Sequence, residues 1–427
     1  RGTGTLKIAR PDDFMELIRH RKAAGDWTAA AAHTIQRYPL FMDTLEKEMK
    51  EKYLKNFSGC YACPFQCNGF YSIPGIGKGS AMCADYWYGH FNCDSTEGMW
   101  EGNILSQKLG INNFELVALM RFLQQSISMG ILKKEDIGLS SIPMIDRRSE
   151  PKYGGEKAHR KFLEELLIGI AEGTSPFTQG MARAAEQFGQ SAVELYDLNF
   201  PAWGNTSHHI RGVAEALHWA TDTRDPFNSC HDYVHVRGRG FGNNTEIADW
   251  FGVPGGHLAG ESEGKNKNIY QETERETVWV QNHQSLRNSL LICEFASMPG
   301  QFYHPPEMDI RIFESKLLSS VTGIDMNVDE LWKAGERIYN LRRAIMILRE
   351  KRQRDDDTIN HVWFEETTGD VRRLSEPLSI PKWEALKDRY YELRGWNVNT
   401  GWPARPKLEE LGMKSVADKL QSAGKIG

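Results

Sequence analysis

Three cysteines within eight residues are the strongest chemical signal in this sequence. They are Cys60, Cys63 and Cys67, spaced as C-x2-C-x3-C, in a chain with seven cysteines among 427 residues. Thiolates at this spacing can converge on one iron–sulfur cluster, with a fourth ligand supplied from elsewhere in the fold. The motif therefore predicts an electron-transfer enzyme.

The same cysteines leave two other interpretations open. One is a structural zinc site in a non-catalytic subunit, although such sites usually pair two C-x2-C motifs and no second pair exists here. The other is the molybdopterin family that includes formate dehydrogenases, which adds a fourth cysteine downstream. Cys93 lies 26 residues after Cys67 and has a suitable position. However, that family needs a much longer chain of α/β domains.

Composition indicates a soluble globular protein with two or three domains. Hydrophobic residues make up 40% of the chain, charged residues 26%, and the net charge is −5. This balance gives no indication of nucleic acid or an anionic membrane as partner. No apolar run reaches the roughly 18 residues that span a bilayer. Few cysteines in a large chain indicate a reducing compartment, so we expect a cytoplasmic protein.

Amphipathic helices dominate the predicted organisation. The segment 327–330 resembles a capping box, and apolar residues then recur over 331–348 at steps of three and four, as in a packed helix. Other predicted helices cover 112–129, 156–171 and 175–188, the last with Ser175 as N-cap. Short strands are predicted at 277–280 and 289–292. The charged segment 354–358 is predicted to be a solvated loop, and a break near 196–206 to be a domain boundary.

The wider sequence resembles the tungsten-dependent aldehyde ferredoxin oxidoreductase family. That family carries C-x2-C-x3-C, then a D-x-x-G-x-D-like segment, then a distant D-x-x-G-x-C-like segment whose cysteine completes the cluster. Residues 107–112 (QKLGIN) match the first of these segments in place. Gly110 is retained, whereas the amides Gln107 and Asn112 replace both acids.

Residues 288–293 (NSLLIC) match the second segment. Asn288 stands in place of its acid and Leu291 in place of its glycine. By this match Cys293 is the fourth cluster ligand, and Ile292 places its backbone near a pterin. Cys230 is a cluster ligand only if Cys293 is not.

The resemblance covers nearly the whole chain and implies two mostly α-helical C-terminal domains, without the β-rich N-terminal domain of that fold. We expect domain 1–195 to carry the cysteine motif and domain 196–427 to carry the fourth cysteine. The implied cofactors are a [4Fe-4S] cluster and a tungsten (or molybdenum) bis-pterin. The implied electron partner is ferredoxin or an iron–sulfur subunit, in an oligomeric protein. The implied pterin-binding residues are Gln107, Gly110, Asn112, Asn288 and Ile292.

The segment 79–85 (GSAMCAD) bears on the reaction. Aldehyde-oxidising members carry a Glu there, in a Gly-Pro-Glu-Tyr segment, and this chain has none. The segment instead resembles the catalytic subunit of class II benzoyl-CoA reductase, which uses a cysteine as a direct tungsten ligand. Cys83 is the candidate for that role, because a thiolate suits a metal already bound by sulfur. The alternative is a small buried cysteine.

The segment 220–231 favours the other branch, since it resembles the segment with a catalytic His in aldehyde oxidisers. His231 is therefore a candidate for moving a proton, because the unperturbed pKa of histidine lies near neutrality. The alternative is a structural histidine in a polar loop. The predicted reaction is the interconversion of an aldehyde and a carboxylic acid, or else low-potential reduction of an aromatic acyl-CoA.

Overall fold

The computed structural model describes parts of the chain that fall into two compact units. One unit is formed by residues 1–200 and 204–207, the other by 201–203 and 208–427. Helices dominate both, so the mostly α-helical fold class is confirmed. The domain limits 1–195 and 196–427 stay a prediction. The described residues are 49–61, 68–81, 96–112, 116, 119, 122–123, 126–127, 129–140, 156–199, 213–222, 270, 273–292, 310–364 and 377–427.

The first unit contains a small antiparallel sheet of the strands β1 (Leu54–Ser58), β2 (Asn68–Ile73) and β3 (Gly77–Ala81), which pair in the order β1-β2-β3. A π-helical turn, Met49–Tyr53, precedes β1. Along β2 buried and half-buried residues alternate, as expected for a strand with one face against a core. These strands are not predicted from the sequence, because glycine and polar residues dilute the alternation.

Aromatic side chains join this sheet to the first helix, α1 (Thr96–Leu109). Tyr71 of β2 and Trp100 of α1 meet edge to face with their ring centroids 5.5 Å apart. The indole of Trp100 donates to the carbonyl of Gly77 at 3.2 Å. Both rings are almost fully buried, so this contact fixes the sheet against the helix.

The remaining helices of the first unit enclose an apolar core. Phe122, Leu167, Ala184 and Ala192 are fully buried there. The predicted helix over 175–188 is interrupted, because a 3₁₀ turn ends at Gly180 before the next helix begins. Helices with described bounds are α2 (Glu156–Glu172), α3 (Met181–Phe188) and α4 (Gln190–Asn199), with 3₁₀ turns at Lys134–Ile137 and Pro176–Gln179.

Among the described residues, the helices of the second unit are α5 (Val213–Thr221), α6 (Thr273–Leu290), α7 (Ile310–Thr322), α8 (Val328–Glu350), α9 (Ile380–Arg394), α10 (Arg405–Glu410) and α11 (Lys414–Ser422), with 3₁₀ turns at Arg354–Asp356 and His361–Phe364. Two long helices, α6 and α8, pack closely together. Gly335 of α8 lies against α6, and a Cβ there would come within 2.5 Å of the carbonyl oxygen of Asn282.

The two strands predicted in this unit are wrong. Residues 277–280 lie inside helix α6, and 289–292 form its last residues and the turn after it. β-branched and aromatic residues favour strands locally, but Thr277, Trp279 and Val280 are buried within helix α6, where tertiary packing overrides the preference. Residues 289–292 are exposed or half-buried at the helix end. Among the described residues no helix has the length and apolar character to cross a membrane.

Helix α8 begins as predicted but does not pack as predicted. The Asn327 side chain accepts from the Glu330 amide at 3.0 Å, and the Glu330 carboxylate accepts from the Asn327 amide, which is a complete capping box. Leu331 is buried, yet Leu341, Ile345 and Leu348 are more than 40% exposed. The predicted packed stripe is therefore wrong over its C-terminal part, residues 341–348.

Candidate functional site

The cysteine motif lies in the connection between β1 and β2. Ser58 at the end of β1 pairs with Asn68 at the start of β2. Paired residues of an antiparallel ladder have Cα atoms about 5 Å apart, so the two ends of the connection are held together. Cys60 is exposed, whereas Cys63 and Cys67 lie outside the described residues. Sheet pairing thus fixes both ends of the segment that carries the three thiols.

The structure does not test the complete set of cluster ligands. Cys60 is the one cysteine among the described residues, and within them no group of three His, Cys, Asp or Glu side chains could hold a metal ion. Cys83, Cys293 and His231 also lie outside the described residues. Their roles stay predictions.

Residues 107–112, which the resemblance matches to the first D-x-x-G-x-D-like segment, form the C-terminal turn of helix α1. Gly110, which follows the last helical residue, has φ +70°, in the left-handed region that glycine favours. The amide of Ile111 then donates back to the carbonyl of Ser106 at 2.9 Å. This left-handed residue and backward hydrogen bond are typical of a Schellman ending, and they leave Asn112 exposed just beyond the helix.

The second motif forms the same turn at the end of helix α6. Leu291, again the first residue past the helix, has φ +56°. The amide of Ile292 donates to the carbonyl of Arg287 at 3.1 Å, with the same spacing along the chain. The two motifs therefore have equivalent backbone positions, with Leu291 in the conformation that Gly110 adopts in the first unit.

Amide side chains precede both turns. Nε2 of Gln107 donates to the carbonyl of Ser80 in β3 at 3.1 Å and to Oδ1 of Asn103 at 2.9 Å. Nε2 of Gln284 donates to Oδ1 of Asn288 at 3.3 Å. Gln107 thus uses both amide protons inside the protein, and its Oε1 keeps the acceptor character of a carboxylate. The Gln107 side chain is exposed and lies two residues before the end of helix α1.

A left-handed leucine is costly, which gives a prediction for Leu291. Replacing it with glycine should raise the free energy of unfolding of the second unit by about 1 kcal/mol, because L-residues are strained at this φ. The side chain is 91% exposed, so little packing is lost. Urea unfolding would measure the change. The reverse substitution at the equivalent turn, Gly110→Leu, should destabilise the first unit, and a destabilised Leu291→Gly protein would contradict the prediction.

Buried polar groups hold the point where the chain leaves helix α5. The Tyr339 hydroxyl donates to the carbonyl of Thr221 at 2.8 Å. The guanidinium of Arg352 donates to the carbonyls of Ala220 and Asp222 at 2.6 and 3.0 Å. The three carbonyls lie at the C-terminal end of helix α5, where a helix needs hydrogen-bond partners from outside itself, and side chains far along the sequence supply them. Asp222 is the last described residue before the segment that contains His231.

Arg352 is itself held by Asp357, which corrects the prediction of a solvated loop at 354–358. Asp357 is fully buried. It accepts two hydrogen bonds from Arg343 at 2.8 and 2.7 Å, one from Nε of Arg352 at 2.9 Å and one from the Tyr391 hydroxyl at 2.6 Å. Asp355 and Asp356 are exposed as predicted. The prediction fails at Asp357 because charge in a sequence does not reveal partners that lie distant along the chain.

Burial by itself raises the pKa of Asp357, but the charge and hydrogen bonds of Arg343 outweigh it, with help from Arg352 and Tyr391. The pKa of this carboxyl therefore lies below its ordinary value. The carboxylate in turn raises the pKa of Arg343 although desolvation opposes the shift. The cluster consequently keeps its charges at neutral pH.

A second buried group, a histidine–carboxylate pair, lies at the C-terminal end of helix α5 and was not predicted from the sequence. Nε2 of His218 is 3.2 Å from Oδ2 of Asp222, one turn further along, and both side chains are almost fully buried. Asp222 also lies 3.4 Å from Arg342. The spacing of four residues in a predicted helix would have been the available signal, but that segment shows no clear periodicity.

The sequence is similar to a known protein family along most of its length. The family model described as "Aldehyde ferredoxin oxidoreductase, domains 2 & 3" matches residues 5–413. The chain belongs to this family. The predicted family resemblance is thereby confirmed, and the aldehyde ferredoxin oxidoreductase family accounts for nearly the whole length of the chain.

Curated relatives within the aldehyde ferredoxin oxidoreductase family are distant. A tungsten-containing aldehyde ferredoxin oxidoreductase of Pyrococcus furiosus is 23% identical over 387 residues, which are 88% of this chain and 56% of that protein. An "Aliphatic sulfonate oxidoreductase, WOR-like subunit" of the same organism is 24% identical over 380 residues. The match covers 84% of this chain and 51% of that protein. The chain thus spans about half the length of these relatives.

A solved structure shows the same fold. The active-site complex BamBC of benzoyl coenzyme A reductase, determined with 1,5-dienoyl-CoA, matches with a TM-score of 0.61 at 19% identity. The match covers 94% of this chain and 57% of the other. At this identity the likeness concerns the fold alone.

Proposed function

We propose that this chain is the helical part of a tungsten (or molybdenum) bis-pterin, [4Fe-4S] oxidoreductase that interconverts an aldehyde and a carboxylic acid. The observation that carries the proposal is membership of the aldehyde ferredoxin oxidoreductase family over residues 5–413, in a chain whose C-x2-C-x3-C motif is held at both ends by the pairing of β1 with β2. By the sequence match, the helix ends at Gly110 and Leu291 would correspond to the two pterin motifs of the family.

In this proposal the chain's own residues hold and orient the redox groups. Cys60, Cys63, Cys67 and Cys293 would bind the cluster. Acceptors at Gln107 and Asn288, and backbone at Gly110, Asn112 and Ile292, would contact the pterin. The bound metal cofactor supplies the two-electron chemistry. His231 would move a proton at the substrate, and electrons would pass to ferredoxin or an iron–sulfur subunit, in a cytoplasmic oligomer.

Low-potential reduction of an aromatic acyl-CoA is the second candidate. Two observations favour it, namely the absence of the family's Glu near Cys83 and the fold shared with a benzoyl coenzyme A reductase complex. The choice between the two reactions depends on what binds the metal beside the pterin sulfurs. A cysteine ligand at residue 83 would favour the reductase.

Metal analysis and two assays test the proposal on the longer protein that contains this chain. We expect tungsten or molybdenum together with about four iron atoms per protein. Viologen-linked turnover with benzaldehyde would support aldehyde oxidation, and turnover with an aromatic acyl-CoA would support the second candidate. Zinc alone, without iron, would show that the protein is the non-catalytic subunit instead.

Serine variants would identify the fourth cluster ligand. We expect Cys293→Ser to lose most of the cluster, because a [4Fe-4S] cubane needs four thiolates. Cys93→Ser and Cys230→Ser are matched controls and should keep about four iron atoms. Iron content and visible absorbance are the measurements. If Cys230→Ser or Cys93→Ser loses the cluster and Cys293→Ser keeps it, the assignment from the second motif is wrong.

A further inference from the structure

Helix α8 carries an apolar seam that the described structure leaves uncovered. The outermost side chains of the seam, Leu341, Ile345 and Leu348, are 42%, 44% and 42% exposed. The seam residues recur at steps of four and three, and they are Ala334, Ile338, Leu341, Ile345 and Leu348. Three large exposed apolar side chains in one row mark a place where another molecule packs.

The seam points away from the core of its own unit. An α-helix turns about 100° per residue, so the seam residues lie within roughly 80° of one another. By the same geometry Tyr339, Arg343 and Ile347 lie on the opposite side of the helix, and these three are buried. That side packs against α6 and the C-terminal helices. The helix therefore has two faces suited to packing, of which its own unit uses one.

The shape of the seam suits a single helix. Steps of four and three give a period of 3.5 residues, which is the pattern of a coiled-coil seam. From residue 334 to 348 it is about 21 Å long. A helix that lies in a membrane surface presents a broader apolar face, about 100° or more across. The narrow stripe thus favours a helix over a lipid surface.

Arginines flank the seam. Arg337 lies on one side, and Arg342 and Arg349 lie on the other. Arg337 donates to the carbonyl of Leu411 and Arg349 is exposed, so both keep their charge available, while Arg342 lies 3.4 Å from Asp222. Acidic residues near the seam are engaged elsewhere, since Glu330 caps its own helix. Arg337 on one side and Arg349 on the other therefore carry the positive charge of the flanks, since Arg342 is paired with Asp222.

We propose that the seam binds an amphipathic helix of a partner polypeptide with acidic residues beside its own apolar stripe. Apolar stripes would interdigitate, and carboxylates would meet the flanking arginines. A second copy of this chain fits less well, because pairing α8 with itself places arginines against arginines. The proposal is independent of the redox chemistry and concerns a surface outside the pterin motifs.

Two synthetic helical peptides test the seam on the whole chain. Both carry Leu and Ile at seam spacing, and they differ in having Glu or Lys at the flanking positions. We expect the Glu peptide to bind at least about tenfold more tightly than the Lys peptide, and salt to reduce the difference. Fluorescence anisotropy would give both dissociation constants.

Substitutions inside and outside the seam test whether the peptide binds at the seam. Ile345→Glu should weaken binding of the Glu peptide by about tenfold or more. Leu393→Glu, on helix α9 and 39% exposed, is the matched control and should leave it unchanged. Arg349→Glu, at an exposed position, should shift the preference toward the Lys peptide. Melting curves of all variants should resemble those of the parent protein.

Four outcomes would overturn the proposal. The two peptides could bind equally, or Ile345→Glu could have no effect on binding. The chain could form a dimer that Ile345→Glu dissociates in sedimentation, which would identify a second copy as the occupant. Anionic vesicles could bind the chain through Ile345 in preference to either peptide, which would identify a membrane surface.

Discussion

Replacing Asp357 with asparagine should lower the free energy of unfolding of the second unit by about 3–5 kcal/mol. The reason is that two guanidinium groups stay buried without their counter-charge. Arg343 is fully buried and Arg352 is 4% exposed, and both donate to the same carboxylate. Chemical unfolding followed by circular dichroism would measure the loss.

An exposed ion pair on the same segment provides the control. Arg354 donates to Asp388 at 2.6 Å, but the Asp388 side chain is 49% exposed. Asp388→Asn should therefore cost less than about 1 kcal/mol, because water compensates for a lost surface charge. Equal effects of the two substitutions would mean that the buried cluster does not stabilise the unit.

The same cluster predicts a loss of stability in acid. The pKa of Asp357 is lower in the folded chain than its ordinary value of 3.8. A depressed pKa gives stabilisation that is fully present above pH 3.8 and lost as the pH falls through the folded value. The unfolding free energy of Asp357→Asn should depend less on pH in that range. If the free energy of unfolding fell equally with pH in the parent and in the variant, this expectation would be contradicted.

Cys83→Ser should abolish turnover while leaving the absorbance of the iron–sulfur cluster intact. The expectation follows from the proposed direct ligation of the metal by Cys83, because serine oxygen is a harder ligand than thiolate. Steady-state assays with both substrate classes, together with visible spectra, would measure the two effects in the longer protein.

Cys93→Ser is the natural control for this substitution, since no role in metal binding is proposed for Cys93. It should retain both turnover and absorbance. If Cys83→Ser turns over at the parent rate, Cys83 is not in the site and the second candidate reaction loses its main support. If the variant loses the cluster as well, Cys83 acts on the cluster rather than on the pterin-bound metal.

Local structure that depends on neighbouring residues can be predicted from the sequence. The capping box at Asn327 and Glu330 requires only four consecutive residues, and the structure contains it. The glycine turn at Gly110 is similarly local. The family motifs added what spacing alone could not, since Leu291 gives no turn signal and was assigned through its match to a glycine.

Burial and contacts that depend on residues distant along the chain cannot be predicted from the sequence in this way. Asp357 looks like its exposed neighbours Asp355 and Asp356 until Arg343 and Tyr391 are placed around it. The apolar steps on α8 correctly indicated a helix but not which face the unit covers. Periodicity reports that an apolar stripe exists, and only tertiary structure reports what packs on it.

The capping of helix α5 has a consequence for synthesis of the protein. Arg352 reaches the carbonyl of Ala220 across 132 positions of sequence. While the ribosome is still making the intervening segment, the end of α5 lacks this partner, and contacts of such long range form late. The first unit can thus fold on the nascent chain before the second unit does, because the second unit needs residues as late as Arg352. Slowing translation beyond residue 222 would prolong the lifetime of that half-folded state.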